Sequence, residues 1–590
     1  MPHLSLSAFY RHLRYFNTTN SNDSLICMII KKMRLIAKSD IPTLFLTFIC
    51  IGIFIGHMLY ISKTRQYPQW DEHHYVGLSR TFYSLLRSPS PDLWARLMKA
   101  SDYRQPLYPL ISAIVLTITG PEQSYFVSLL VNGIYFIVTL LAIYFIVKEF
   151  GNTRSAVLAS LIFAGMGFPL FYMHFAYSET ATTMWVSLSM LFLLKSNGFL
   201  NRRMSVYAAL MFVGGSLTRW VAPIFISGAI LWELSILVVS WKKERKSQKI
   251  IRLSNAFIFI ILSVMLSLFL YYIPNISLFF DYVRRNSINS SAWVTAYKGI
   301  EYANPWSVKT LVYYLNIISQ NTVFYFMLFL LGCGFCFFRI TKYGGLLLSF
   351  MIPYIVFSAA FLWKDDRFIV PLYPIIAVLS GIWLTGIKAP RLYWTLFILI
   401  STFSVMSYFG CLWGIGIMGK QGLKDIVLPS FIQHPRRIYL TSMVWPPVKE
   451  YIHANSVVSI IAKDSREKPT KVSVLIVHEP LTNALYSIEH YLTNGVFLFS
   501  YVSSIGTFNM MDFLNKDYII ARNVSSPVDG VSSGCFHEIL DVYPHAYQAI
   551  GEVIVPSDGS VVVIYRRNQI ISPEMINRAG ERPVRSKHEL

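Results

Sequence analysis

Eleven long apolar runs dominate this sequence of 590 residues and constrain its fold more than any other feature. Most are close to the ~20 residues that a helix needs to cross the hydrocarbon core of a membrane. Only one of them contains a charged residue, Glu233. The runs are 41–61, 124–147, 155–173, 180–194, 205–218, 222–240, 253–273, 317–338, 345–362, 368–387 and 392–416. Because lipid offers no hydrogen-bond partner to an open backbone, such runs fold as helices. The sequence therefore predicts a polytopic α-helical membrane protein with about eleven transmembrane helices.

The composition excludes several classes of soluble protein. Apolar residues make up 54% of the chain and charged residues 14%, whereas soluble proteins carry about a quarter charged residues. A cytosolic enzyme, a disordered scaffold and a collagen-like chain are therefore excluded. Lys and Arg number 52 against 31 Asp and Glu, which gives a net charge of +21. In a membrane protein such an excess is typical of loops that flank the bilayer, so no nucleic-acid partner is predicted.

A twelfth apolar segment, residues 106–120, has only 15 residues and is short for a transmembrane helix. The distribution of basic residues indicates where it lies. With eleven crossings and an inner N-terminus, the inner segments carry 21 Lys and Arg in 79 residues, and the outer loops carry 13 in 97. A twelfth crossing would move the basic run 241–246 to the outside. Segment 106–120 is therefore predicted to be a re-entrant or interfacial helix.

Three parts of the chain follow from this topology. Residues 1–40 form a basic cytoplasmic segment, and the first apolar run is predicted to be a retained signal anchor, because no small-residue cleavage site follows it. Residues 41–416 form the membrane domain. Residues 417–590 are predicted to form an extracytoplasmic soluble α/β domain and tail. Its β-patterned runs are 471–477, 496–501, 518–521 and 561–565, and a helical pattern covers 482–492.

The same topology collects acidic and basic residues on the outer face, in loops 62–104, 174–179, 274–316 and 363–367. A cleft at a membrane surface that is lined by carboxylates and guanidiniums suits a substrate with a lipid tail and an anionic head. The residues concerned are Asp71, Glu72 and Arg104 in the first loop, His174 and Glu179 in the second, Arg219 in the turn between the fifth and sixth runs, and Lys364, Asp366 and Arg367 in the last loop.

Five of these residues also have a simpler explanation. Asp71 and Glu72 could cap the helix that follows them. Arg104 and Arg367 could extend to the lipid headgroups, as basic residues at helix ends often do. Glu179 could be no more than a polar residue at a helix end. The functional interpretation depends on all of these groups sharing one site.

The motifs resemble those of the GT-C superfamily of membrane glycosyltransferases. The pair Asp71-Glu72 one loop after the first helix, followed by Arg104-Gln-Pro-Leu-Tyr-Pro, resembles the bacterial relatives of protein O-mannosyltransferases and of the aminoarabinose transferase of lipid A. The segment Lys364-Asp-Asp-Arg-Phe-Ile-Val-Pro-Leu-Tyr-Pro is similar to the His-Lys-Glu-x-Arg-Phe-x-x-Pro-x-x-Pro element of dolichol-dependent mannosyltransferases. Trp363 stands in place of the His, and Asp365 in place of the Glu.

The resemblance implies a glycosyltransferase that moves a sugar from a polyprenyl-phosphate donor to an acceptor hydroxyl on the outer face, with inversion. Asp71 is the candidate general base, and Glu72 is expected to hold the acceptor or to orient its neighbour. Arginines suit a phosphate leaving group because they bind it in a bidentate manner. These are Arg104 and Arg367, with Arg219 as a third. The other substrate-binding candidates are Glu179, Asp366, Lys364 and His174.

No cofactor is expected, and no essential metal, since the external loops beside the membrane contain no Asp-x-Asp and the adjacent His73 and His74 point apart on a helix. The expected partners are a lipid-linked sugar donor, membrane lipids, and an acceptor glycan, lipid or protein. A bacterial inner membrane is favoured over the endoplasmic reticulum, although the final Lys-His-Glu-Leu resembles a lumenal retention signal.

Two other functional classes stay open. A transporter or flippase of a lipid-linked sugar usually carries ionisable groups deep within its helices, where this chain has Glu233. A non-catalytic membrane assembly protein would have no need of carboxylates and arginines gathered on one face.

Overall fold

The computed structural model describes residues 23–64, 71–101, 103–241, 244–282, 284, 307–359, 366–387, 389–413, 454–465, 470–474, 497–501, 514–522, 530–554 and 561–575. The larger part is helical. In chain order the helices are α1 (Asp23–Lys63), α2 (Glu72–Arg87), α3 (Leu93–Ser101), α4 (Leu107–Thr119), α5 (Ser124–Phe150), α6 (Thr153–Ala164), α7 (Gly167–Met173), α8 (Ser178–Ser196), α9 (Arg202–Ser216), α10 (Ala222–Ser240), α11 (Lys246–Ser267), α12 (Val308–Phe337), α13 (Ile340–Ala359), α14 (Tyr373–Ile382), α15 (Pro390–Trp413), α16 (Ala454–Asp464) and α17 (Gly530–Val542).

Seven helical stretches among the described residues are long and apolar enough to cross a membrane, and two bent pairs of helices raise the number to nine if each pair is one span. All nine coincide with apolar runs in the sequence. The prediction of a helical protein with many possible membrane spans is confirmed, and the count of about eleven stays a prediction. The single stretches are Thr43–Lys63, Pro121–Phe150, Ala222–Ser240, Lys246–Tyr272, Ile340–Ala359, Arg367–Gly386 and Pro390–Phe409.

The run 155–173 was predicted to be one membrane crossing, and the structure divides it into α6 and α7, which meet at 65°. The sequence Gly165-Met166-Gly167 lies at the break, and Pro169 falls in the first turn of α7. Glycine weakens a helix, and proline is tolerated in a first turn because the N–H that it lacks would have no partner within the helix. The bend directs the end of α7 and the loop after it towards α8.

The fourth and fifth apolar runs form α8 and α9, which are not among the seven stretches or the two bent pairs. Helix α8 is rich in hydroxyl side chains yet largely buried. Its hydroxyls donate to carbonyls one turn earlier, for example Thr182 to Ser178 at 2.7 Å, Thr183 to Glu179 at 2.7 Å and Ser187 to Thr183 at 2.7 Å. Because these hydroxyls are satisfied within the helix, α8 can bury them against its neighbours.

Helix α4 has 13 residues, so it is about 20 Å long and shorter than a hydrocarbon core of about 30 Å. It packs between α2 and α5, with Tyr108 and Ala113 fully buried. Its length agrees with the expectation of a re-entrant or interfacial helix.

The centre of the membrane domain is α14, in which all ten residues are buried. It packs against α6, α5 and α12. The crossing with α12 is so close that a Cβ atom at Gly332 would collide with the carbonyl of Leu379. A 3₁₀ turn, Asp366–Leu372, precedes α14 and contains Arg367. Arg367 is thereby joined to a helix that is buried along its whole length.

The C-terminal region contains a five-stranded sheet of β1 (Thr470–Val474), β2 (Phe497–Tyr501), β3 (Tyr518–Arg522), β4 (Tyr547–Ile554) and β5 (Val561–Arg567). The strand order is β2-β1-β3-β5-β4. Strand β1 pairs in parallel with β2 and β3, whereas β5 pairs antiparallel with β3 and β4. Helix α17 packs Phe536 and Ile539 against Ile519 of the sheet. Strands occur at all four predicted positions, and the predicted helix 482–492 lies outside the described residues.

Candidate active site

Five charged residues, each from a different segment, lie next to one another. Asp71 immediately precedes α2, Arg104 lies between α3 and α4, and Glu179 is the second residue of α8. Arg219 follows α9, and Arg367 lies in the turn before α14. All five were candidates from the sequence, and the structure brings them together. They are called the ion chain below.

Acidic and basic side chains alternate along the ion chain. Arg104 Nη2 donates to Asp71 Oδ1 at 3.2 Å, and Arg367 Nη1 donates to Asp71 Oδ2 at 2.7 Å. On its other side, Arg367 Nε lies 3.9 Å from Glu179 Oε1. Glu179 Oε1 is also 2.6 Å from Arg219 Nη1. Each carboxylate therefore lies between two guanidiniums.

The two carboxylates of the ion chain differ in exposure. The side chains of Asp71, Arg367 and Arg104 are 31%, 22% and 15% exposed, whereas Glu179 is only 3% exposed. A ligand from outside the protein can therefore reach the Asp71 end. Glu179 lies deeper, and its Oε2 is buried without a hydrogen-bond partner among the described residues. A buried carboxylate oxygen of this kind can accept a hydrogen bond from a ligand.

The arginines dominate the electrostatics of Asp71. Burial alone would raise the pKa of this carboxyl, but the charges of Arg367 and Arg104 and the hydrogen bond from Arg367 outweigh burial and hold the pKa well below its usual range. Burial works in the opposite direction on Arg104, yet Tyr75 and Asp71 raise the pKa of its guanidinium. Asp71 and Arg104 are thus both ionised at neutral pH.

Aromatic rings surround the guanidiniums. Arg104 lies over the rings of Tyr75 and Tyr103, 5.2 Å and 5.1 Å from their centroids. Arg367 lies 5.7 Å from the centroid of Tyr177. Rings at these distances attract the cations and restrict their positions. These tyrosines were not among the candidates from the sequence, although Tyr103 stands next to Arg104.

Asp71 does not cap α2, which was the simpler explanation for this residue. Asp71 has helical backbone angles, φ −71° and ψ −11°, and its carboxylate makes no capping hydrogen bond to α2. Both of its oxygens bind arginines instead. Arg104 and Arg367 correspondingly point at Asp71. The three side chains form a specific contact.

Glu72 points away from the ion chain and is fully buried. Its Oε1 accepts the backbone N–H of Ala176 at 2.5 Å and the hydroxyl of Tyr125 at 3.2 Å. Adjacent residues on a helix project about 100° apart, which explains why the two acids separate. Glu72 therefore fixes the start of α2 to the segment between α7 and α8.

His174 is buried and lies in a different environment from the ion chain. Its Nε2 is 3.1 Å from His57 Nδ1, and its Nδ1 donates to the carbonyl of Leu170 at 2.8 Å. The ring of Tyr60 packs against it at a centroid distance of 4.0 Å. The predicted role of His174 in substrate binding stays a prediction.

Two further sequence candidates cannot be placed, since Lys364 lies outside the described residues and so does the side chain of Asp366. Within the described part of the chain, no group of three or more His, Cys, Asp and Glu side chains could hold a metal ion.

No protein-family model matches this chain, and no curated protein matches it. Solved structures do. ArnT from Cupriavidus metallidurans bound to undecaprenyl phosphate is similar with a TM-score of 0.51 and 12% identity, over 90% of this chain and 99% of that chain. The same protein in its apo state is similar with a TM-score of 0.52 and 13% identity, over 88% of this chain and 97% of that chain. A third structure is the oligosaccharyltransferase AglB from Archaeoglobus fulgidus in complex with an inhibitory peptide and a dolichol-phosphate. Its TM-score is 0.42 and its identity 12%, over 77% of this chain and 64% of that chain.

The similarity to ArnT extends over nearly the whole of both chains, so it concerns the architecture rather than one motif. It agrees with the resemblance that the sequence motifs carry. This chain shares the overall fold of ArnT.

Proposed function

We propose that this protein is a membrane glycosyltransferase that moves a sugar from a polyprenyl-phosphate-linked donor to an acceptor hydroxyl. The observation that carries the proposal is the bridge that Asp71 makes between Arg104 and Arg367 at the exposed end of the ion chain. A carboxylate and two guanidiniums are the groups that such a transfer needs. ArnT, whose fold the chain shares, is solved with bound undecaprenyl phosphate.

The arginines would bind the donor phosphate. A guanidinium carries five N–H donors in a planar fork that matches phosphate oxygens. Arg104 and Arg367 each use one nitrogen on Asp71. Fixed positive groups of this kind stabilise the charge that grows on a leaving phosphate. Arg219 lies further along the ion chain, beyond Glu179, and supports the same positive field.

Asp71 would act as general base. The acceptor oxygen forms a bond to the anomeric carbon while the bond from that carbon to the phosphate oxygen breaks. The proton of the acceptor hydroxyl passes to Asp71, and the electron pair of the broken bond leaves with the polyprenyl phosphate. Attack from the side opposite the phosphate inverts the anomeric carbon. One carboxylate and one leaving group suffice for this step.

The second carboxylate would bind the sugar. Glu179 Oε2 is buried beside Arg367 and Arg219 and can accept a hydrogen bond from a sugar hydroxyl. Glu72 would act through its neighbour, because its contacts with Ala176 and Tyr125 hold the residue before α2 in place. The proposed site faces the outside of the membrane, in accord with the distribution of basic residues.

The residue that would have favoured a transporter has a structural role instead. Glu233 is 2% exposed and its Oε2 accepts the backbone N–H of Gly198 at 2.6 Å. It is therefore engaged with a turn of its own chain. Substrate transport would need an ionisable group that faces a pathway through the helices.

The test is transfer of labelled sugar by the purified full chain. A set of polyprenyl-phosphate sugars is supplied with envelope lipids and glycans as acceptors, and labelled product is measured. The wild type should transfer, and Asp71→Asn should transfer about 10²–10⁴ times more slowly, as expected on removal of a general base. Asp92→Asn is the matched control, because Asp92 is exposed and contacts Ser90 outside the ion chain. A folded Asp71→Asn protein that transfers at the wild-type rate would contradict the mechanism.

A further inference from the structure

Asp71 has both of its carboxylate oxygens occupied by arginines. Oδ1 accepts from Arg104 and Oδ2 from Arg367, at 3.2 Å and 2.7 Å. The carboxylate is thus a bridging anion between two guanidiniums. A phosphate that bound the same two arginines would place its oxygens in the same positions.

The two roles proposed for this site compete for the same contacts. A carboxylate that serves as counter-ion to two arginines is a weak proton acceptor, since every interaction with a cation favours its ionised form. A phosphate beside an ionised carboxylate also brings two anions into contact, which costs free energy. The arrangement of Asp71, Arg104 and Arg367 is therefore suited to one anion at a time.

We propose that Asp71 occupies the donor-phosphate site of the free protein and that the arriving phosphate displaces it from Arg104 and Arg367. This inference rests on the proposed function and concerns the regulation of the same site. The displaced carboxylate loses its two cationic partners and gains an anionic neighbour. Both changes raise its affinity for a proton. Asp71 becomes an effective base only when a donor is bound.

The surroundings of Asp71 allow this exchange. Its side chain is 31% exposed, so it can turn towards solvent, and His74 supplies a further charge interaction nearby. Arg367 keeps Glu179 Oε1 at 3.9 Å when Asp71 leaves. Arg104 stays over the rings of Tyr75 and Tyr103. The two guanidiniums therefore remain in place to receive the phosphate.

The proposal predicts opposite effects of one substitution on binding and on transfer. Asp71→Asn removes the internal anion but keeps its size, so the arginines become available to phosphate. Undecaprenyl phosphate should bind the purified Asp71→Asn chain about tenfold more tightly than wild type, while Asp71→Asn transfers poorly. In an Arg104→Ala background the gain should shrink, because one of the two released guanidiniums is missing.

The experiment is a titration of undecaprenyl phosphate into detergent-solubilised full-length variants, with the ligand-induced rise in Tm as a second measurement on the same samples. Asp92→Asn should bind as the wild type does. Equal or weaker binding by Asp71→Asn, together with weaker binding by Arg104→Ala, would overturn the displacement and leave the proposed function intact. Failure of the wild type and of every variant to bind undecaprenyl phosphate would instead refute the proposed function, and the displacement with it.

Discussion

Within the described part of the membrane domain, two clusters of ion pairs use their arginines differently. In the ion chain, Arg104 and Arg367 contact carboxylate side chains, and both are partly exposed. The second cluster lies at the turn between α8 and α9. There Arg252 is only 5% exposed, and it donates through Nε to Glu244 at 2.9 Å and through Nη1 to the carbonyl of Asn197 at 2.5 Å and to that of Gly198. Arg252, Glu244 and Glu233 are called the turn clamp.

The turn clamp exists because the turn has an unusual backbone. Asn197, Gly198 and Phe199 have φ values of 50°, 62° and 65°. Left-handed residues in succession leave their carbonyls and N–H groups without helical partners. Arg252 and Glu233 supply those partners from α11 and α10. A Cβ atom at Gly198 would collide with the Arg252 guanidinium.

The comparison indicates which cluster can bind a ligand. In the turn clamp, Arg252 Nη1 and Glu233 Oε2 bind backbone groups, whose positions are fixed by the fold, while the rest of the Arg252 guanidinium binds Glu244. In the ion chain the partners are side chains that can rotate, and one carboxylate oxygen, Glu179 Oε2, is still available. Buried charges that satisfy the backbone stabilise structure, whereas charges that satisfy each other at an exposed end can exchange a partner for a substrate.

Substitutions in the turn clamp and in the ion chain should have different effects, and the largest is a loss of stability. Arg252→Ala should lower the free energy of unfolding by about 3–5 kcal/mol, because it leaves Glu244 and two turn carbonyls uncompensated. The measurement is thermal or denaturant unfolding of the purified chain. The affinity for undecaprenyl phosphate should be unchanged in the folded fraction. A loss of affinity in that fraction would show that the turn clamp is not separate from the ligand site.

The next largest effect concerns the ion chain. Arg104→Ala and Arg367→Ala should each weaken donor binding by about 1.5–3 kcal/mol, the range for a hydrogen bond to a charged group. Lysine at either position should restore part of the affinity, since it keeps the charge and loses the planar fork. Titration of polyprenyl phosphate into the purified alanine and lysine variants measures both the loss and the partial recovery of affinity. If an alanine variant bound the donor with wild-type affinity, the replaced arginine would not be a donor ligand, and contact with lipid headgroups would explain it better.

The smallest effect is expected at Glu72, an acid beside the ion chain that binds the backbone as the turn clamp does. Glu72→Gln keeps an oxygen that can accept the N–H of Ala176 and the hydroxyl of Tyr125. Transfer should therefore fall no more than about tenfold, equivalent to a net hydrogen-bond contribution of 0.5–1.5 kcal/mol. Single-turnover rates compare this variant with Asp71→Asn. A loss as large as that of Asp71→Asn would indicate that Glu72 takes part in the chemistry.

Much of the site could be predicted from the sequence because charges in an apolar chain are rare and conspicuous. Arg104, Glu179, Arg219 and Arg367 stand beside apolar segments, and Asp71 lies in the loop that follows the first apolar run. The distribution of basic residues then predicted that they share one face. The fold class followed from the same runs, since only helices satisfy a backbone in lipid.

The details that the sequence did not predict depend on the direction of side chains and on bends in helices. Apolar length does not report the bend between α6 and α7. Apolar length also does not predict that Glu72 turns inward while Asp71 faces two arginines. These directions depend on the rotation of α2 about its axis. His174 contacts His57 through packing between α1 and α7, which are more than a hundred residues apart in the chain.

The account is tested most directly by the lipid that the protein binds in its own membrane. The wild type, Arg252→Ala and the Arg104→Ala/Arg367→Ala double variant are purified in parallel, and bound lipids are extracted and identified by mass spectrometry. Polyprenyl phosphate or its sugar-linked form should accompany the wild type and Arg252→Ala and be absent from the double variant. Equal amounts of such a lipid in all three preparations, or none in the wild type, would contradict the assignment of the ion chain as the donor site.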